Sequence, residues 1–508
     1  MSSRKVIMFE TNEIPFRVFD DYAQKRPDSH LAKLMAASKQ MSTVCEDQIE
    51  LDPWISWPTL HRGVIDEQHQ IVHLGQSLDF ADENYPPIWR ILADHGVSVG
   101  VMGSLHSSSV PVKLDNYSFY VPDFFANESF THPADLAAFQ DFNLVMTRRS
   151  ARNVDTGLPM KSAGEFLKFY ATHGASPSTI ATTAKAIIAE RRQPHLRCRR
   201  RSIQPLLSLD LFLHLMKREQ PDFATLYTNH VAAAMHRYWA AAYPDDPDGT
   251  VMPAQWCRQF EDEILYAMDC LDLMLGRLMK FARRNDTKLV VCSSMGQAAH
   301  KSEETTGFVT IVDLNQFMGR MGLSPTDWTE RHAMVPCVSV TVDPEKADEF
   351  EARLRSISCN GQPMVFDKRE IEPISYDRTG DSFHLFVYFE RYAGALTAEV
   401  AGEPTAFESL GWGFHEHQDN IDCTGRHTPH GLLLTYDPAV SKSADSGRSA
   451  ISTVDIAPAL LSHFNVPIPD YMQDPDPGIL DPATVGTTIV VRAEGGGVEQ
   501  PVKRQPVG

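Results

Sequence analysis

The chain has little of what marks an exported, membrane-bound or disulfide-stapled protein. Of its 508 residues, no stretch approaches the length of a membrane-spanning helix, and the short apolar run after Met1 is too brief for a signal peptide. Its eight cysteines are scattered without a C-x-x-C pair, which is typical of reduced, structural thiols. We therefore expect a soluble protein of the cytoplasm, and no membrane partner.

Basic residues are also under-represented. The 47 lysines and arginines face 66 aspartates and glutamates, which gives a net charge of −19. Such a charge argues against binding to nucleic acid or to an anionic membrane surface. One basic run stands out at residues 191–201, and we interpret it as a solvated helix face, with an anionic ligand as the alternative. The sequence carries no signal for the oligomeric state.

Apolar and helical patterns alternate along the first hundred residues. A short apolar run at residues 6–9 is followed by helical spacing over 18–38, and a second apolar run occupies 97–102. This β-α-β order predicts an α/β fold, a three-layer sandwich with a mostly parallel central sheet.

The alternation of strand and helix patterns is interrupted twice, which predicts two insertions into the sheet domain. An aromatic and proline-rich segment after residue 104 precedes helical stretches, and a separate α+β pattern begins after residue 304. The predicted division is core 1–104, helical cap 105–220, core 221–304, α+β lid 305–412, core 413–484 and a flexible tail 485–508.

Five short motifs follow one another at separations that carry more information than composition. They are the strand leading into Asn12; Ser56-Trp57-Pro58-Thr59 with Gly63 and His69 beyond it; Leu226-Tyr227 with His236-Arg237-Tyr238; Ser293-Ser294-Met295-Gly296; and His427 before Gly431. In this order they resemble the type I phosphodiesterase/nucleotide pyrophosphatase branch of the alkaline phosphatase superfamily. The resemblance implies the three-layer fold and chemistry on a small anionic ester (a phosphate, phosphodiester or sulfate).

The same resemblance implies two zinc ions, but most positions that would bind them have changed. The family's aspartates fall on Asn12, Ala232 and Ser294, and one of its histidines falls on Met295. Two histidine ligands remain, His236 and His427, and two histidines alone hold zinc loosely. We therefore predict no certain cofactor and leave open one divalent metal on His236 and His427.

Acidic and histidine side chains elsewhere could rebuild a metal centre. Glu10 and Glu13 flank Asn12, and a cluster of such residues occupies 415–423. For that cluster we favour a solvent-facing loop.

The predicted nucleophile is Ser56. The S-W-P element matches the family's T-[F/W]-P, although the spacing to Gly63 is about three residues short, so Thr59 remains a rival. A hydroxyl at a helix N-terminus suits this role because the helix dipole stabilises an anion there. The alternative is that Ser56 is simply an N-cap.

The remaining candidates form a polar set around the predicted cleft. His236 and His427 are the predicted general bases, and the predicted substrate-binding residues are Asn12, Asn229, His230, Ser293, Ser294 and Gln297. Three functions compete: a divergent enzyme working without the usual two-metal centre, a pseudoenzyme that binds an anionic ligand or a protein partner, and a conventional metal-dependent phosphodiesterase.

Overall fold

The computed structural model describes residues 4–126, 129–151, 160–301, 307–331, 333–367, 372–389, 397–416, 423–440, 447–476 and 478–481. Its strands, in chain order, are β1 Val6–Thr11, β2 Ser38–Val44, β3 Val99–Met102, β4 Tyr117–Val121, β5 Phe223–Thr228, β6 Lys288–Cys292, β7 Gly296–Ala299, β8 Gly307–Ile311, β9 Trp328–Arg331, β10 Val338–Val342, β11 Ile357–Cys359, β12 Gln362–Pro363, β13 Val365–Phe366, β14 Ile374–Thr379, β15 Ser382–Val387, β16 Ala398–Val400, β17 Glu403–Thr405, β18 Trp412–Glu416, β19 Gly425–Thr428, β20 Leu433–Tyr436 and β21 Ser449–Ser452. The predicted tail falls outside the described residues.

The helices connect and cover these strands. They are α1 Phe16–Lys25, α2 His30–Ala37, α3 Pro53–Arg62, α4 Asp66–His69, α5 Asp79–Asn84, α6 Ile88–Asp94, α7 Ala137–Ala151, α8 Met160–Thr172, α9 Pro177–Arg192, α10 Arg200–Glu219, α11 His230–Ala242, α12 Ala254–Phe260, α13 Glu263–Asn285, α14 Leu314–Arg320, α15 Ala347–Leu354 and α16 Ile456–His463. Within the described residues, no helix is both long and apolar enough to cross a membrane.

The largest sheet has eight strands in the order β21-β2-β20-β6-β1-β5-β3-β4. Strand β1 pairs in parallel with both β5 and β6, and β3 continues the parallel set on the β5 side. Strand β20 runs antiparallel to both of its neighbours. The predicted mostly parallel sheet is therefore confirmed, with one reversed strand that the sequence did not indicate.

Both faces of the sheet are buried, which explains why its central strands are continuous apolar runs. In β1, Ile7 and Phe9 join the core on one face, whereas Val6 and Met8 join the core on the other. Because successive side chains of a strand point to opposite faces, β1 serves both cores at once. The three-layer sandwich is thus confirmed.

The predicted helix over residues 18–38 is two helices. Pro27 follows the end of α1, and the Ser29 hydroxyl caps α2 by accepting the backbone N–H of Ala32. Proline removes a backbone donor and disfavours helix at the residue before it, so the chain turns there.

The segment predicted as a cap is more closely tied to the core than expected. It contributes β4 to the edge of the main sheet, and its helix α10 packs on α13 in the same helical layer. Arg199 in its basic run forms an ion pair with the buried Glu263, while Arg191 and Arg192 are exposed.

The predicted lid is a separate α+β body. Strands β13-β14-β15-β10-β9 form a sheet whose apolar face packs with α14 and α15 in a third core. Its other face meets the main domain at His73, which stacks on His384 and lies 3.4 Å from Asp377.

Candidate functional site

Three parallel strands deliver polar side chains to one edge of the main sheet. Asn12 follows β1, Asn229 follows β5, and Ser293 with Ser294 follows β6. The backbone N–H of Asn12 donates to the Thr228 carbonyl at 2.9 Å, which extends the β1–β5 pairing by one residue. Parallel sheets commonly form their sites at this carboxyl edge.

Helix α3 approaches the same edge with its N-terminal turn. It begins at Pro53, with Asp52 as N-cap, and ends at Gly63, whose φ of +67° suits glycine. The helix therefore starts three residues before Ser56, where the sequence predicted its start, and Ser56 is not the N-cap. Its Oγ lies 2.8 Å from Ser294 Oγ, and both side chains are fully buried.

Three ionisable side chains converge beside this turn, and we refer to Glu13, His236 and His427 as the His–Glu cluster. Glu13 Oε2 lies 2.8 Å from His236 Nε2 and 3.2 Å from His427 Nε2. The two Nε2 atoms are 3.3 Å apart. The imidazoles are 29% and 22% exposed, whereas Glu13 is only 3% exposed, so the cluster opens to solvent on the histidine side.

The second nitrogen of each imidazole contacts a backbone carbonyl, and that of His236 also lies 3.1 Å from Cys423 Sγ. His236 Nδ1 donates to the Gly425 carbonyl at 2.9 Å, and His427 Nδ1 donates to the Leu51 carbonyl at 2.7 Å. A carbonyl can only accept, so each Nδ1 carries its hydrogen and each neutral Nε2 presents a lone pair. Two such lone pairs and a carboxylate oxygen then face one point, which requires a cation there, either protons or a metal ion.

The electrostatics of the cluster follow from this convergence. Burial raises the pKa of Glu13, but the neighbouring charges of His427 and His236 outweigh it and hold that pKa well below its usual range. Burial lowers the pKa of His236, yet Glu13 raises it well above the ordinary value; the pKa of His427 is also raised by Glu13, against burial and the charge of His236. Without a metal, the cluster therefore holds protons near neutral pH.

The sequence profile of the type I phosphodiesterase/nucleotide pyrophosphatase family matches residues 56–429, that is 429 − 56 + 1 = 374 of the 508 residues. The chain belongs to this family.

Solved structures of family members resemble the chain loosely. Murine ectonucleotide pyrophosphatase/phosphodiesterase 5 is 14% identical, with a TM-score of 0.41 over 92% of this chain and 98% of that one. An inactive variant of the murine protein in complex with AMP is 14% identical, with a TM-score of 0.42 over 92% of this chain and 97% of that one. The human protein is 14% identical, with a TM-score of 0.40 over the same shares of the two chains. A comparison with curated protein sequences gives no significant match.

Within the described residues, the donor set of the His–Glu cluster fits a single metal ion. Glu13, His236 and His427 offer three ligand atoms within 4.8 Å of one another, the only such trio of His, Cys, Asp and Glu side chains in the described part of the chain. Zinc needs three or four nitrogen, sulfur or charged oxygen ligands, and the His–Glu cluster supplies three of them.

Glu13, which the sequence offered beside Glu10 as a possible substitute ligand, is the carboxylate that meets the two histidines. It has a φ of +57°, in the left-handed region, and this turn directs its carboxylate toward His236 and His427. Gln297 Nε2 donates to Glu13 Oε2, and β7–β19 pairing sets Gln297 directly opposite His427. The only sequence signal was its position beside Asn12. Of the acidic cluster at 415–423, His417, Asp419 and Asp422 lie outside the described residues.

Two residues predicted to bind substrate face away from the cluster. His230 is buried: its Nδ1 accepts from the Thr228 hydroxyl at 2.6 Å and its Nε2 donates to the Ala267 carbonyl at 3.2 Å. Ser293 ties β6 to β1 through its hydroxyl, which contacts both the hydroxyl and the carbonyl of Thr11. Both side chains are therefore engaged within the fold, and their part in substrate binding stays a prediction.

Thr59 belongs to a neighbouring buried network. The Ile71 N–H donates to His69 Nδ1, so His69 Nε2 donates to Thr59 Oγ1 at 3.0 Å. The Thr59 hydroxyl in turn donates to Asp47 Oδ1 at 2.6 Å, and burial raises the pKa of Asp47 to about 6. This arrangement fixes Thr59 below the surface.

Proposed function

We propose that the protein hydrolyses a small anionic ester, such as a phosphodiester, phosphate or sulfate, at a single divalent metal ion held by Glu13, His236 and His427. The carrying observation is the convergence of one carboxylate oxygen and two Nδ1-protonated imidazoles on one point. Two histidines and a glutamate are a ligand set of hydrolytic zinc enzymes, in which one coordination position stays open for water or substrate.

The surroundings of the three ligands support a metal in this position. Both imidazoles are oriented by backbone carbonyls, and Glu13 is held by Asn12 and Gln297. Such partners fix ligand orientation and strengthen metal binding. When bound, a divalent ion would polarise the ester oxygen and acidify a water molecule.

The chain's own groups would receive the ester on the exposed side. Asn229 is exposed and turns its amide oxygen toward Asn12, which leaves its N–H₂ outward as a donor for an anionic oxygen. Asp52 lies 3.5 Å from His427 Nδ1 and is partly exposed, so it is placed to take up a proton at the rim of the cleft. Ser56 is fully buried against Ser294, which favours attack by water over a covalent serine intermediate.

The test combines metal analysis with hydrolysis. The purified full chain should contain about one zinc ion, and it should hydrolyse at least one of bis(p-nitrophenyl) phosphate, p-nitrophenyl phosphate and p-nitrophenyl sulfate in a chelator-sensitive manner. Glu13→Gln should lower metal affinity by at least about tenfold. The exposed Glu345 gives the matched control, since Glu345→Gln removes an equal charge on the lid and should change neither quantity.

Two metal ions per chain, or turnover that survives complete removal of metal, would overturn the single-metal proposal.

A second candidate function is binding of an anionic ligand without turnover. It is favoured by the complete burial of both hydroxyls at the family's nucleophile position, Ser56 and Thr59. Metal-free protein that binds inorganic phosphate or sulfate, and loses that binding in His236→Ala, would support this function in place of hydrolysis.

A further inference from the structure

Both polar atoms of the Asn12 side chain are hydrogen-bonded within the site. Its Oδ1 accepts the indole N–H of Trp57 at 2.7 Å, and its Nδ2 donates to Glu13 Oε1 at 2.5 Å and to Asn229 Oδ1 at 2.8 Å. The side chain is 2% exposed, so these partners replace water. An asparagine amide offers two donors and an acceptor, and each of them is engaged here.

The family's aspartate could not make these contacts at this position. A carboxylate would accept from Trp57, but it has no hydrogen to donate to Glu13 or Asn229. It would also set a second negative charge against that of Glu13 in a buried place, which is unfavourable. The amide at position 12 and the carboxylate at position 13 therefore depend on each other.

Glu13 needs such a partner because its backbone is strained. A non-glycine residue at a φ of +57° is uncommon and persists only where the surroundings hold it. Asn12 holds Oε1, while Gln297 Nε2 donates to Oε2 on the other side of the carboxylate. The carboxylate is thus clamped between two amides, with Oε2 turned to the two imidazoles.

We propose that Asn12 is a positioning residue: the replacement of the family's aspartate by asparagine converts a metal-ligand position into the group that orients the new ligand, Glu13. This inference rests on the single-metal function proposed above. It concerns how Glu13 is held, and Asn12 itself contacts neither metal nor ester.

The experiment is a double-mutant cycle on the full-length protein, with zinc affinity measured by competition with a chromophoric chelator. Asn12→Ala should weaken zinc binding by about 10- to 100-fold, as loss of a group that orients a ligand typically does. In a Glu13→Gln background the same change should cost less than about twofold, because Asn12 would act only through the carboxylate. Asn143→Ala, which removes a similarly buried amide in the cap, is the matched control and should leave zinc affinity unchanged.

A general loosening of the site predicts a different result. Asn12→Ala would then weaken zinc binding equally in both backgrounds, and such additivity would overturn the proposal. The same four proteins are also unfolded thermally in the presence of a chelator. If Asn12 holds Glu13, the decrease in the thermal unfolding midpoint of the double variant should be smaller than the sum of the decreases in the two single variants.

Failure of the single-metal function is separately visible, since the wild-type protein would then bind no zinc. In that case the thermal unfolding measurements in the presence of chelator test the role of Asn12. Decreases in midpoint that are not additive support its contact with Glu13, and additive decreases overturn it.

Discussion

Zinc binding to the His–Glu cluster should release protons, because the metal-free imidazoles hold them. Glu13 raises the pKa of both His236 and His427 above the ordinary imidazole value, so at about pH 6.5 the Nε2 of each imidazole is mostly protonated where the metal would bind. Glu13 has a lowered pKa and is already ionised, so it contributes no proton. We expect release of about two protons per zinc ion.

The size of the effect follows from this count. For each proton that zinc displaces, zinc affinity should rise about tenfold per unit rise in pH, a change of about 1.4 kcal/mol in binding free energy. This holds while the pH lies below the pKa of that imidazole in the folded protein. Two protons give about a hundredfold per unit, or about 2.7 kcal/mol. The dependence should flatten as the pH rises through the raised pKa values, since the folded protein then no longer binds those protons.

The assay is calorimetric titration of zinc into metal-free protein at about pH 6.5, in buffers of different ionisation enthalpy. The slope of the observed enthalpy against buffer enthalpy gives the number of protons released. His427→Ala should lower that number to about one, whereas His195→Ala on the cap should leave it at about two.

Zinc binding that releases no proton would refute the reasoning, since it would mean that the imidazoles do not face the ion through Nε2. An unchanged proton count in His427→Ala would exclude that residue from the cluster.

Three further expectations concern the surrounding structure. Ser56→Ala should lower the free energy of unfolding by about 1 kcal/mol through one lost hydrogen bond and leave turnover within about tenfold of wild type; abolished turnover with intact folding would restore Ser56 as the nucleophile. Burial raises the pKa of Asp123 to about 7, so this carboxyl binds a proton more tightly in the folded protein than in the unfolded chain. The free energy of unfolding should therefore fall as pH rises from about 4 to about 7. In urea unfolding, Asp123→Asn should show a shallower fall over the same range. Arg199→Ala leaves Glu263 buried without its ion pair and should cost about 2 kcal/mol in urea unfolding, whereas Arg192→Ala in the same run should cost under about 0.5 kcal/mol; equal costs would contradict the distinction.

The strands of the main sheet could be predicted because their sequence signal is local. Strand β3 occupies residues 99–102 of the apolar run at 97–102, and β1 extends only two residues beyond its apolar run at 6–9. Fully buried strands need apolar side chains on both faces, which leaves a visible pattern. The reversed direction of β20 leaves no such pattern, since its direction depends on the path of the chain through the lid.

The site was partly predictable for a related reason. Asn12, Asn229 and Ser294 follow the ends of adjacent strands, so the fold alone brings them near His236 and His427. The role of Glu13 depends on a left-handed backbone turn and on contacts from segments hundreds of residues away, none of which the local sequence encodes. The burial of Ser56 likewise depends on where α3 begins, a boundary that sequence patterns set poorly.

The single-metal proposal accounts together for the residues at positions 12, 232 and 297 around Glu13. Ala232, at a position where the family has an aspartate, is completely buried, and its carbonyl accepts from the same Gln297 amide that holds Glu13. Asn12 and Gln297 each donate to one carboxylate oxygen of Glu13, so the buried carboxylate is held with its Oε2 toward His236 and His427. On the single-metal proposal, partners of this kind fix the orientation of the ligand and strengthen metal binding.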